Sequence, residues 1–137
     1  MLVNPQGVYS IVSRNDNVLY TAGITPRKDG KLIEEGKIND TREITSYQIL
    51  ADQIIDNLEV ALNNTLEDRE QVDRILDMMV FVSIDPGFYK ISRVADLVSN
   101  AIIRKWGEGV IGARTAVGVY GLPSNAPLEV KFTIKVK

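Results

Sequence analysis

The sequence predicts an α+β domain in which a mixed β-sheet carries two helices on one face. Three observations lead there. Two β-prone runs near the start are separated by turn-forming Asn and Asp. Two later stretches repeat apolar residues at steps of three and four, the period of an amphipathic helix. The remaining apolar runs follow the two-residue period of a strand. The order is β-β, helix, β, helix, β-β, and two helices with a mixed sheet in one small unit suggest a two-layer arrangement. The length of 137 residues suits a single domain, 1–137, large enough to bury a core.

Val8-Tyr9-Ser10-Ile11-Val12-Ser13 and Val18-Leu19-Tyr20-Thr21-Ala22 flank Arg14-Asn15-Asp16-Asn17, which predicts a hairpin. Tyr9 fits the core, a cross-strand pair or a ligand contact, the core being the default. Residues 23–39 are polar and contain Pro26, Gly30 and Gly36, so they read as a loop with room for one short edge strand. Asp40-Thr41-Arg42-Glu43 fits a capping box, with Asp40 accepting from first-turn amides and Glu43 reaching back. Ile44, Tyr47, Leu50, Ala51, Ile54, Ile55, Leu58, Ala61 and Leu62 then mark an amphipathic helix of about six turns. Asp52, Gln53, Asp56, Asn57 and Glu59 fall on its other side and read as solvated, with no chemistry indicated. Asn63-Asn64-Thr65 ends the helix, and residues 66–72 form a charged connection.

Residues 75–84 are apolar on both alternating sets, Leu76, Met78, Val80, Val82 and Ile84 against Ile75, Met79 and Phe81. Such a run predicts a central strand buried on both faces, with the methionines as core filler. Asp85-Pro86-Gly87 stops it. A second helix follows through Ile91, Val94, Ala95, Val98, Ala101, Ile102 and Trp106. The spacing Gly107-x-Gly109-x-x-Gly112 follows this helix and precedes a strand, the reverse of a dinucleotide-binding context, so it is discounted as a phosphate cradle.

Composition narrows the chemistry. The chain has no cysteine and no histidine, which removes a disulfide framework, a thiol nucleophile and a Cys/His metal site. No metal and no cofactor are expected. A net charge of −2 gives no support to nucleic-acid binding, and Lys131, Lys135 and Lys137 on one strand face serve solubility more often than recognition. No stretch approaches the ~20 apolar residues that span a bilayer. Met1-Leu2-Val3-Asn4-Pro5 lacks the charged end and apolar run of a signal peptide, so the expected location is cytoplasmic.

The last two strands carry the residues of interest. In Gly112-Ala113-Arg114-Thr115-Ala116-Val117-Gly118-Val119, alternation puts Arg114, Ala116, Gly118 and Tyr120 on one face. Small neighbours are expected to leave open space over the arginine, whose planar fork of donors suits a small carboxylate. An ordinary solvated arginine on an alternating strand has the same spacing, so both readings stand at this point. On the return strand Leu128, Val130, Phe132, Ile134 and Val136 form the apolar face, and Glu129, Lys131, Thr133 and Lys135 the polar one. With both helices on one face, the other is expected to carry Arg114 and Glu129 among small and apolar groups. A half-apolar sheet face argues for self-association.

Ala113-Arg114-Thr115-Ala116-Val117, then Leu122-Pro123, then Leu128-Glu129-Val130, resembles the signature A-R-S-x-V, L-P, E-[IV] of the reactive intermediate deaminase family (Rid, or YjgF-type, also known as L-PSP endoribonucleases). Gly7-Val8-Tyr9 resembles that family's G-x-Y start, and Tyr20-Thr21-Ala22-Gly23-Ile24-Thr25-Pro26 its S-G-Q-x-P turn. The ordered set covers nearly the whole chain. The resemblance implies a chorismate-mutase-like α+β fold assembled as a homotrimer, with ligand sites between subunits. It also implies cofactor-free hydrolysis of 2-imino or enamine acids, such as 2-iminobutanoate or 2-iminopropanoate, to 2-keto acids and ammonia. By position, Arg114 would clamp the substrate carboxylate and Glu129 would handle the attacking water. Tyr9, Gly23 and Ala116 would line the pocket. Ala22, Ile24 and Ala116 stand where relatives carry serine, glutamine and cysteine, and the region from Phe88 to Arg114 is longer, which places the chain in a divergent branch. Two further function classes stay in view, a non-catalytic trimer that binds a small carboxylate as sensor or accessory subunit, and an endoribonuclease.

Overall fold

The computed structural model describes residues 3–137, so the first two residues of the Met1–Pro5 segment lie outside it. The elements follow the predicted order. A hairpin of β1 (Val12–Asn15) and β2 (Val18–Thr21) is followed by a minimal hairpin, β3 (Arg27–Lys28) and β4 (Lys31–Leu32). Then come α1 (Gln48–Asn63), β5 (Val72–Ser83), α2 (Ile91–Trp106), β6 (Ala113–Val119) and β7 (Leu128–Val136). The main sheet has five strands in the order β1-β2-β7-β5-β6. Strands β5 and β6 run parallel, with α2 as their crossover, and the other pairs are antiparallel.

Both helices cover one face of the sheet. Val80, Val82, Leu128, Val130, Phe132 and Ile134 of the strands and Leu50, Ile54, Leu58, Val94, Val98 and Ile102 of the helices are all fully buried. The strand pattern in β7 is strictly alternating, as a sheet packed on one side requires. Strand β5 departs from the expectation of burial on both faces. Met79 and Phe81 are only half-buried, and a register shift between Ile75 and Asp77 puts Ile75 rather than Leu76 into the core. Its apolar second face is therefore open within one chain.

The first hairpin turns on two residues, with Asn15 paired to Val18 and Asp16 in the left-handed region that Asp tolerates. Residues 44–47 form a 3₁₀ turn before α1, and neither start has a side-chain cap. Asp40 is not the cap that its spacing to Glu43 predicted; its carboxylate pairs with Lys90 at 2.9 Å, just ahead of α2. The glycines after α2 serve the backbone. Gly107 ends the helix at φ 90°, and a Cβ on Gly112 would fall 1.7 Å from the Ile75 carbonyl oxygen of β5. No helix among the described residues is long and apolar enough to cross a membrane.

Candidate active site

Three of the sequence-identified residues meet in one cavity of about 570 Å³. Tyr9, Gly23 and Glu129 line it, together with Thr25, Arg27 and Asn57. Each is delivered by a different local device. Tyr9 lies in the irregular segment before β1, where its hydroxyl accepts a hydrogen bond from the Gln6 amide at 3.0 Å. Gly23 follows β2, and the next residue, Ile24, bridges to Val130 of β7 through two backbone hydrogen bonds of 2.8 and 2.9 Å. That bridge sets the turn directly against Glu129. A Cβ on Gly23 would lie 2.6 Å from both Cδ and Oε1 of Glu129, so glycine is what lets the carboxylate occupy this spot.

Glu129 faces away from the helices. It is half-buried, and burial pushes its carboxyl above the ordinary value of 4.5. No described cation forms a salt bridge with it, so desolvation is not offset. A carboxylate in this state is a better proton acceptor than a solvated one, and it stands over space large enough for a small organic acid.

Asn57 was expected on the solvated flank of α1, yet it is 6 % exposed. Its Nδ2 donates to the carbonyl oxygens of Thr25 and Arg27, at 3.1 and 2.8 Å, while its Oδ1 accepts from Gln53 Nε2 at 3.0 Å. It ties the wall of the cavity to the helix. Helical periodicity placed Asn57 on a polar flank; only the path of the 23–32 loop across that flank buries it.

Arg114 and Ala116 do not line this cavity. Arg114 pairs with Met78 and Glu129 with Phe81 along the central strand β5. Met78 and Phe81 are an odd number of residues apart, so the two side chains leave opposite faces of the sheet. Two strand spacings of ~4.8 Å and three residues of ~3.3 Å rise put their Cα atoms roughly 14 Å apart. The open space expected over Arg114 is absent. It lies on the helix side, where Nη1 donates to Asp96 Oδ1 at 2.8 Å and Ser99 Oγ at 3.0 Å, and Nη2 to Ser92 Oγ at 2.9 Å. Gly118, four residues on, is covered by the Ile84 and Ile91 side chains, and Ala116 packs against the core. The small residues make room for α2 and its approach. Arg114 nevertheless keeps 22 % of its side-chain surface exposed at the outer edge of the sheet.

Comparison with known proteins bears on the family and the fold. Residues 2–136 match the endoribonuclease L-PSP family. The chain is 31% identical over 123 residues to the protein TCP17 of Trypanosoma cruzi, covering 86% of this chain and 74% of that one. A solved protein of unknown function from Agrobacterium tumefaciens is 28% identical and superposes with a TM-score of 0.82, covering 95% of this chain and 82% of the other. RidA from an Antarctic Psychrobacter has the same fold at 16% identity, with a TM-score of 0.71 over 98% of this chain and 93% of its own. With the match spanning nearly every residue and the ordered signature in place, the chain belongs to the endoribonuclease L-PSP family, the Rid or YjgF-type proteins.

Proposed function

We infer that this protein is a deaminase that hydrolyses reactive 2-imino or enamine acids to 2-keto acids and ammonia, working as a homotrimer. The observation that carries this reading is Glu129, a desolvated and unpaired carboxylate held against Gly23 and beside Tyr9 in a cavity of small-molecule size. An imine carbon is already electrophilic, so the protein has to position the substrate, orient a water and accept a proton. In the proposed step Glu129 takes a proton from the water as its oxygen bonds to the imine carbon. With the imine nitrogen protonated, this gives a carbinolamine whose nitrogen receives that proton from Glu129. The C–N bond then breaks to release ammonia while the hydroxyl proton returns to Glu129 as the keto C=O forms. Tyr9 brings a hydroxyl to the cavity wall that steers the proton.

Arg27 and Lys28 line the cavity from the same chain, but the signature arginine, Arg114, lies on the other face of the sheet. A second copy supplies it in this account. Arg114 sits on the outer strand with part of its side chain exposed at the sheet edge, and Met79, Phe81 and Val117 form an apolar open face on the side of the sheet away from the helices. A face of that kind favours association, and a closed ring of copies sets each arginine edge against the cavity of its neighbour. Asp96, Ser92 and Ser99 then serve as positioning residues that fix the guanidinium from behind. Ala22 and Ile24, which replace a serine and a glutamine of relatives, favour a second reading in which the same site binds a small carboxylate without turnover.

The test is ammonia release from freshly generated 2-iminopropanoate. Wild-type protein is expected to accelerate it without added metal, and Glu129→Gln to lower turnover by ~10²–10⁴-fold while still binding 2-keto acids. Full activity in Glu129→Gln would remove the glutamate from the mechanism. Keto-acid binding with no acceleration by wild type would establish the non-catalytic reading.

A further inference from the structure

Arg27 has no part in the signature that identified the site, yet it lines the same cavity as Glu129, Gly23 and Tyr9. Its guanidinium is held at one end, where Nη1 donates to the Gly30 carbonyl oxygen at 3.1 Å. Its Nε is buried and has no hydrogen-bond partner, the only such buried side-chain nitrogen or oxygen among the described residues. No described carboxylate forms a salt bridge with it. The backbone beneath is fixed, because Asn57 holds the carbonyl oxygens of Thr25 and Arg27. A buried donor on a charged group is costly to leave unpaired. Nη2 also has no protein acceptor and, unlike Nε, is not closed off, so its donors are left for a carboxylate in the cavity.

We propose that Arg27 binds a second acidic group on the ligand, so that the preferred substrates are 2-imino acids with a side-chain carboxylate, and the products are 2-keto dicarboxylates. This rests on the reading above, in which Arg114 of the neighbouring copy holds the carboxylate next to the reacting carbon. Arg27 belongs to the chain that supplies Glu129, so it meets the end of the ligand within the cavity itself. Lys28 and Asp29 also line the cavity and offset one another in charge, which leaves Arg27 as the cation for the ligand's far end.

The experiment compares 2-oxoglutarate with 2-oxopentanoate by titration calorimetry at neutral pH. The two acids have the same carbon chain and differ in the terminal carboxylate. Wild-type protein is expected to bind the dicarboxylate at least about tenfold more tightly, the order of one charge-assisted pair. Arg27→Met should bring the ratio close to one, and Arg27→Lys should leave it between the two, since charge is kept and the fork lost. Thermal unfolding of both variants checks that the loop is intact, and the wild-type ratio decides the question even if a variant does not fold. Equal affinities in wild type would overturn the proposal, as would a preference that survives in Arg27→Met. If wild type hydrolyses 2-iminopropanoate but shows no preference, this inference alone fails. If it neither hydrolyses the imine nor binds either acid, the deaminase reading fails with it.

Discussion

Replacing Gly23 with alanine tests how closely the site is built. Gly23 is not among the residues with a positive φ, so its backbone accepts alanine without strain. What it does not accept is the added carbon, which would meet Glu129 Cδ and Oε1 at 2.6 Å where ordinary contact begins near 3.4 Å. The carboxylate must therefore retreat by about 0.8 Å, and a displacement near 1 Å from a reacting geometry costs up to ~10²-fold in rate. The atoms that move are the end of a flexible side chain, so folding is little affected. A Gly→Ala change at a compatible site is worth only ~0.4–1 kcal/mol, in the stabilising direction. Gly23→Ala should thus lose ~10–10²-fold in turnover of 2-iminopropanoate while its unfolding midpoint in urea stays near that of wild type. In a Glu129→Gln background the same change should cost little further, because the group it displaces no longer acts as base. Turnover within twofold of wild type would refute the placement of Glu129 at the reacting water. Loss of activity together with several kcal/mol of stability would show that the backbone, not the carboxylate, had moved.

Asn57 and the protonation of Glu129 give further outcomes. Asn57→Ala should destabilise the protein by about 1–3 kcal/mol in urea unfolding, since two carbonyl oxygens lose a buried donor, and should raise KM by loosening the cavity wall. Glu129 has a folded-state pKa above its ordinary 4.5, so the acid limb of the turnover profile should lie above that value and vanish in Glu129→Gln. The sign for stability is opposite to that of a paired carboxylate. The folded state favours protonated Glu129, a contribution fully present below pH 4.5 and lost as pH rises through the folded-state pKa. Wild type should therefore melt below Glu129→Gln at neutral pH and converge with it in acid.

Much of this was legible in the chain. Period-two and period-3.6 patterns gave the element order, and the strict alternation of Leu128 to Val136 gave β7 its two faces. Tyr9, Gly23 and Glu129, far apart in sequence, do meet in one cavity. The side of the sheet taken by Arg114 was not legible, for a definite reason. Alternation says that Arg114, Ala116 and Gly118 share a face but not which layer covers it. Small residues read as open space when nothing packs on them and as clearance when a helix does, and here Ile84, Ile91 and the serines of α2 fill that clearance. Asp40 shows the same limit in a helix start, where a distant lysine outcompeted a local cap. Arg27 carried no sequence signal at all, since its role depends on the loop that buries its Nε.

The division of the site between two copies of the chain is open to direct test. Arg114→Ala and Glu129→Gln proteins, each inactive alone, can be unfolded, mixed in equal amounts and refolded together. A site built from Arg114 of one subunit and Glu129 of the next is intact whenever two unlike subunits meet in the right order, which random assembly in a closed ring gives in about a quarter of sites. The mixture should therefore recover ~25% of wild-type imine hydrolysis, by the same symmetry. Activity no greater than that of the two variants measured separately would contradict a shared site.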